Sequence, residues 1–118
     1  MKLEDFKKKT VQRSMPMGKN EITFDHLEYR EDADGEIKGA WIYNKEYRPL
    51  FIPIFDDNSY QLDLLTEQLG VETYDPDEIN KCVGTVIIAH KYERNDEKRQ
   101  QTFTNVSFNP RYNSEQTS

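Results

Sequence analysis

The hydrophobic period of this chain switches once and switches back, and that switch constrains its fold more than any other feature. Over "EITFDHLEY" (21–29) and "IKGAWIYN" (37–44), β-branched and aromatic residues predict two strands. The segment between them, "REDADGE" (30–36), contains Asp34-Gly35, a hairpin signal. A turn at Asn44-Lys45-Glu46 leads to a third predicted strand, "YRPLFIPIF" (47–55). Pro49 and Pro53 cannot donate to a ladder, so this strand belongs at a sheet edge or is interrupted. Then "DDNSYQLDLLTEQLG" (56–70) spaces Leu62, Leu65 and Leu69 by three and four, with Leu64 beside them. Asp57, Asn58 or Ser59 can cap the start and Gly70 the end, predicting a helix at about 58–70. "DPDEINK" (75–81) predicts one further turn, with Asp75 as cap and Pro76 in first position. Strand character resumes in "CVGTVIIAHKYE" (82–93) and "TFTNVSFN" (102–109), around a polar loop at 94–101.

Three strands, a helix and two strands is the element order of the OB-fold, a five-stranded Greek-key barrel. The expected class is therefore mainly β, an OB-like barrel with one α-helix between strands 3 and 4. A small β-sandwich or an SH3-like barrel is the alternative, and neither needs a capped helix at that point. At 118 residues and 14.0 kDa the chain fits one domain. Its expected parts are an N-terminal arm or short helix at 1–20, the barrel at 21–110 and a disordered tail at 111–118. "MPMGKN" (15–20) acts as the breaker between arm and barrel.

Charge is placed unevenly. The net charge is −6, but Asp56, Asp57, Asp63, Glu67, Glu72, Asp75, Asp77 and Glu78 form a block without a base before Lys81. Outside that block the 16 basic residues outnumber the acids, so the net acidity does not exclude a polyanionic ligand. There is no run of about 18 apolar residues to span a membrane. "MKLEDFKKKT" lacks the apolar stretch of a secretory signal, and the single Cys82 suits a reducing compartment. The expected location is cytoplasmic.

The segment "GAWIYNKEYRPLFIPIF" (39–55) concentrates ring surface among cations. On strand 2, Ala40 and Ile42 share one face while Trp41 and Tyr43 share the other. On strand 3, Leu50, Ile52 and Ile54 oppose Phe51 and Phe55. A barrel takes the aliphatic face inside, which leaves the rings outside, where OB-folds stack the bases of single strands. Lys38, Lys45 and Arg48 flank the rings, and Tyr47 adds another. The competing reading packs these rings against the helix or the N-terminal arm as ordinary core. A second segment, "HKYERNDEKR" (90–99), supplies Lys91, Tyr92, Arg94, Lys98 and Arg99. It is expected in the loop between strands 4 and 5, which OB-folds use to clamp oligonucleotides. Its own acids, Glu93, Asp96 and Glu97, favour a solvated hairpin of mixed charge when this segment is taken alone.

Enzymatic readings find little support. His26 and His90 belong to no metal-binding spacing, Cys82 has no base at a motif spacing, and no Gly-rich phosphate loop is present. "DADGE" lacks the distal ligands of a calcium loop. No catalytic residue, metal or cofactor is expected.

Taken together, "GAWIYNKEYRPLFIPIFDDNSYQLDLLTEQLG" and "VGTVIIAHKYER" followed by "FTNVSFNP" resemble the small OB-fold single-stranded-DNA-binding proteins of phages and mobile elements of Gram-positive bacteria. The resemblance spans about residues 20 to 110 and rests on element order, the Leu-rich helix and the "NVSFNP" strand end. It implies single-stranded DNA binding, in support of phage or mobile-element DNA replication or recombination. Single-stranded DNA or RNA is the expected ligand; self-association and replication or recombination proteins are the candidate partnerships, with no membrane involved. Many bacterial single-strand binders end in an acidic, aromatic-tipped tail, whereas this chain ends "RYNSEQTS". The alternative function is an acidic phage-type protein that inhibits a host protein by nucleic-acid mimicry, using residues 56–80.

Overall fold

A computed structural model describes residues 2–4, 13–54 and 59–111. Phe6, Lys7, Lys8 and Lys9 of the arm, Phe55, Asp56, Asp57 and Asn58 before the helix, and the tail 112–118 lie outside the described residues. The architecture is mainly β. Five strands, β1 (Gly18–Glu31), β2 (Ile37–Asn44), β3 (Leu50–Pro53), β4 (Val86–Asp96) and β5 (Gln101–Ser107), form one antiparallel sheet. Its spatial order is β3-β2-β1-β4-β5. Between β3 and β4 the chain forms two short helices, α1 (Tyr60–Leu69) and α2 (Pro76–Ile79), the second continued by a 3-10 turn at Asn80–Cys82. No helix among the described residues is long and apolar enough to cross a membrane.

β1 changes partner along its length. Gly18 to Thr23 pair with β4, and Phe24 to Glu31 pair with β2. The exchange falls at Phe24, whose amide donates to the Thr85 carbonyl and whose carbonyl accepts from Gly84. The β1–β2 register also slips between Phe24 and His26. A slip of this kind bends the strand and sharpens its twist, so one long strand can serve both halves of a curled sheet. Glu46 locks the bend: its carboxylate accepts from the Thr23 amide at 2.7 Å and the Thr23 hydroxyl at 2.6 Å.

The core lies inside the curl. Ile22, Phe24 and Leu27 of β1, Ala40 and Ile42 of β2, Ile87 and Ala89 of β4, and Leu62 and Leu65 of α1 are all buried there with Ile79 and Phe108. Two prolines shape β3. The Ile54 amide donates to the Lys38 carbonyl at 3.0 Å. Alternation then makes Ile52 and Leu50 hydrogen-bonded positions and leaves Pro53, Phe51 and Pro49 pointing their backbones to the free edge. The prolines sacrifice no ladder bond and remove donors from that edge, a standard protection against unwanted strand addition.

Several boundaries differ from the sequence expectation. β1 starts at Gly18, whose φ of +93° turns the chain into the strand, and Met15 is already part of the core. β3 is confined to four residues, and Tyr47 instead bridges to Arg13. β4 begins at Val86 and runs to Asp96, because residues 82–84 are taken by the 3-10 turn and the Gly84 contact to β1. The larger correction concerns 90–99. His90, Lys91, Tyr92 and Arg94 are strand residues paired to β5, and the connecting turn is Glu97 to Gln100 alone. Polar residues are tolerated there because β1 pairs with β4 no further than Lys91, leaving Tyr92 to Asp96 in a two-stranded ribbon with solvent on both faces.

Candidate functional site

The two outer strands of the sheet, β3 and β5, approach each other across the curl. Between them lies an open groove of about 790 Å³. One wall is Pro49 and the whole of β3, together with Ser59, Tyr60 and Gln61 at the entry to α1. The other is the β4–β5 ribbon, with Tyr92, Arg94, Phe103 and Asn105, and with Arg99 from its turn. Cross-strand register explains that wall: Tyr92 faces Asn105 and Arg94 faces Phe103. A period of two then brings both pairs to one face of the ribbon. Arg94 and Arg99 face a single acid in the groove lining among the described residues, Asp96, which lies 3.9 Å from the Arg99 Nε. Asp63, Glu67, Glu72, Asp75, Asp77 and Glu78 take no part in that lining.

The outer face of β2 and β3 carries the rings that the alternation placed there. Trp41 and Phe51 are cross-strand partners with ring centroids 4.8 Å apart and planes tilted by 50°. They occupy a non-hydrogen-bonded pair, the closer of the two antiparallel geometries. Trp41 remains 37% exposed. The Arg30 guanidinium sits 5.9 Å over the centre of the Phe51 ring, a cation–π arrangement. Phe51 belongs to both surfaces, since it also lines the groove.

Tyr43 has different company. Its ring stacks flat on His26, 4.2 Å between centroids, and its hydroxyl donates to Glu28 at 3.2 Å. His26 in turn lies 2.5 Å from Asp25 and 3.6 Å from Glu28. Burial first, then the Glu28 charge, push the Tyr43 phenol above its ordinary pKa. This end of the face is acidic and has one ring face already covered.

The remaining predicted site residues are spread more widely. Lys38 is held by Glu36 at 3.3 Å and Asp32 at 3.7 Å, and the bond and charge of Glu36 raise its pKa. The Lys91 ammonium donates to the Met15 carbonyl at 2.9 Å, which ties the residues before β1 to β4. Tyr47 packs on the core, half-buried, while Lys45 and Arg48 flank it in the β2–β3 turn, exposed. Lys98 is exposed in the ribbon turn beside Arg99. The structure thus gathers Phe51, Tyr92, Arg94 and Arg99 in the groove with Trp41 adjoining, and places Lys38, Tyr43, Lys45, Tyr47, Arg48, Lys91 and Lys98 elsewhere.

Three residues at these surfaces escaped the sequence reading. Phe103 would have been found by pairing "TFTNVSF" with β4 in register. Tyr60 disappeared into the helix pattern, and Arg30 into the hairpin turn, because β1 continues to Glu31. Among the described residues no group of three or more His, Cys, Asp and Glu side chains could hold a metal ion. No protein-family model matches this sequence, and no curated protein matches it.

Proposed function

We propose that the protein binds single-stranded DNA, without catalysis, in the groove between β3 and β5. The observation that carries this reading is the convergence in one groove of Phe51, Tyr92, Arg94 and Arg99, with Phe103 and Tyr60 added, from segments far apart in sequence. A single strand offers unpaired base faces and a phosphate at each step, and rings interleaved with guanidinium groups answer both. The same surface would bind duplex poorly, because paired bases hide their faces. The sheet itself is read as an OB barrel opened along one seam. Its order, with β1 shared between β2 and β4 and with β3 nearing β5, supports that reading, as does the partly open character of such barrels. A role in replication or recombination of phage or mobile-element DNA follows from the sequence resemblance.

Trp41 is the single tryptophan and adjoins Phe51, so its fluorescence reports on the site. Titration with oligo-dT, with single-stranded RNA and with duplex is the direct test. Quenching by oligo-dT and little change with duplex is the expected result; a preference for RNA would change the ligand but keep the groove, and no response to any of them would end the proposal. The acidic surface provides a second check. Exchanging the exposed Glu67 and Glu72 for Gln should leave oligo-dT affinity within a factor of about 2, since neither lines the groove. Asp63 is a poor choice for that exchange, because it accepts hydrogen bonds from Ser59 and Tyr74. A variant that lost binding to a host protein on the Glu67/Glu72 exchange, while ignoring oligo-dT, would favour nucleic-acid mimicry.

A further inference from the structure

Gly39 is buried on β2, two residues before Trp41 and on the same outer face. A Cβ built there would meet the Phe51 ring at 2.3 Å and 2.6 Å, and the Ile52 carbonyl at 2.9 Å. The Phe51 ring therefore lies directly across the Gly39 backbone, leaning over β2 towards β1. Arg30 is the cross-strand partner of Gly39 on β1, and its guanidinium stands 5.9 Å over that same ring. Register, the absence of a side chain and one long cation thus build a row across three strands: Arg30, the Phe51 ring over Gly39, and Trp41 at 4.8 Å. Arg30 is absent from the salt bridges found among the described residues.

We infer that Arg30 is a phosphate contact for the bound strand and that Gly39 is the residue that positions Phe51 as a stacking surface. The inference rests on the single-strand reading above and extends it, because it takes the strand out of the groove, over the β3 edge at Phe51, and onto the outer face. β3 suits such a crossing: Pro49 and Pro53 remove donors from its edge and leave the Phe51 amide between them, so the ligand is read by side chains rather than by strand addition. The ligand class is a planar base joined to an anion. The base takes the Phe51 face, and Arg30 moves from the ring to the neighbouring phosphate. An arginine suits both positions, since a guanidinium stacks on rings and forks to phosphate oxygens.

The test measures oligo-dT affinity against salt concentration for the parent, Arg30→Gln, Phe51→Ala, Gly39→Ala and the Gly39/Phe51 double variant, with an abasic oligomer of the same length as second probe. Arg30→Gln should lower the salt slope by about 0.7 on both probes, the loss of one phosphate contact to a single strand. Phe51→Ala should weaken oligo-dT about 5- to 150-fold and hardly affect the abasic oligomer. Gly39→Ala should weaken oligo-dT similarly, and the double variant should be no weaker than Phe51→Ala alone, because both changes remove the same surface. If Gly39→Ala fails to fold, the Arg30 and Phe51 comparisons still decide. An unchanged salt slope in Arg30→Gln, or equal losses of Phe51→Ala on both probes, overturns the inference while leaving single-strand binding intact. A parent protein that binds neither probe overturns both readings.

Discussion

Trp41 is the residue on which core packing and ligand binding make opposite forecasts. It is 37% exposed, on the face opposite Ala40 and Ile42, and its ring leans on Phe51. Truncating it removes one aromatic pair and part of a surface, not a core anchor. Trp41→Ala should therefore cost about 1–2 kcal/mol of stability, near the value of an aromatic pair with some burial. Phe24, which is fully buried where β1 changes partner, should cost about 3–5 kcal/mol when cut to Ala. Denaturant melts of the two variants side by side measure the difference. A Trp41→Ala loss as large as that of Phe24→Ala would return the ring to the core and remove the argument for a stacking face.

Among the elements, α1 shows what a linear reading can and cannot recover. Its Leu spacing and its Gly70 cap were legible: Gly70 has φ +78°, and its amide donates back to the Glu67 and Thr66 carbonyls. So was the start of α2, where the Asp75 carboxylate accepts from the Asp77 amide with Pro76 following. Ser59 precedes α1 without a side-chain cap bond, because its hydroxyl goes to Asp63 instead. The docking of the helix was not legible. β5 ends at Ser107, and beyond it the edge of β4 would be bare. Gln68 covers that edge, with its amide oxygen accepting from Ile88 N at 2.7 Å and its nitrogen donating to the Ile88 and Phe108 carbonyls at 2.9 and 2.6 Å. Gln61, two turns earlier on the same helix face, accepts from the Phe108 amide at 2.8 Å. Asn80 does the same for β1, bonding both the amide and the carbonyl of Leu27. No spacing rule announces an amide side chain that stands in for a missing strand, since its partners lie 20 to 53 residues away. The groove was half legible for the same reason. Alternation assigned Trp41 and Phe51 to one face, but only the pairing of β4 with β5 brings Arg94 opposite Phe103. Gln68→Met keeps the length and removes all three bonds; it should cost about 2–4 kcal/mol, as buried backbone groups lose their partners. Amide exchange at Ile88, whose N–H donates to Gln68, should accelerate in that variant, and unchanged protection there would show that Gln68 does not seal the edge.

For the whole molecule, the titrating groups define a stability profile with two falling limbs. His90 is buried in β4, and burial, then the nearby Lys19 charge, hold its imidazole below the usual value against an opposing backbone bond at Pro110. The unfolded chain takes up a proton near pH 6.5, and the folded one does so only lower. Over that interval the unfolded state binds more protons, so stability present above it is lost as the pH falls. Glu46 extends the acid limb. Partial burial works to raise its carboxyl, but the bonds from Thr23 outweigh burial and hold it below the usual range. Its contribution is present at neutral pH and is lost below the ordinary carboxylate values. Asp32 acts in the same direction, held down first by the Glu36 amide, although at an exposed turn its effect is screened. The alkaline limb belongs chiefly to Tyr29. Its hydroxyl donates to the Tyr74 carbonyl at 2.6 Å, and burial, then Tyr74 and Asp75, push its pKa up to about 12. An unfolded tyrosine ionises near 10. Between these values the native state keeps a proton that the unfolded state has lost, so stability falls as the pH rises. Tyr43, Lys38 and Lys81 are also raised and add to that limb. Urea midpoints should therefore be highest between about pH 7 and 9.5 and fall on both sides. His90→Gln should remove the part of the acid loss that sets in around pH 6.5, while leaving the part that belongs to the carboxylates. Tyr29→Phe should start lower, having lost its bond to Tyr74, and should lose less between pH 10 and 12 than the parent. A parent midpoint that stays level from pH 7 to 5.5 would show that His90 is not held neutral, and equal alkaline losses in parent and Tyr29→Phe would assign that limb to the lysines and Tyr43.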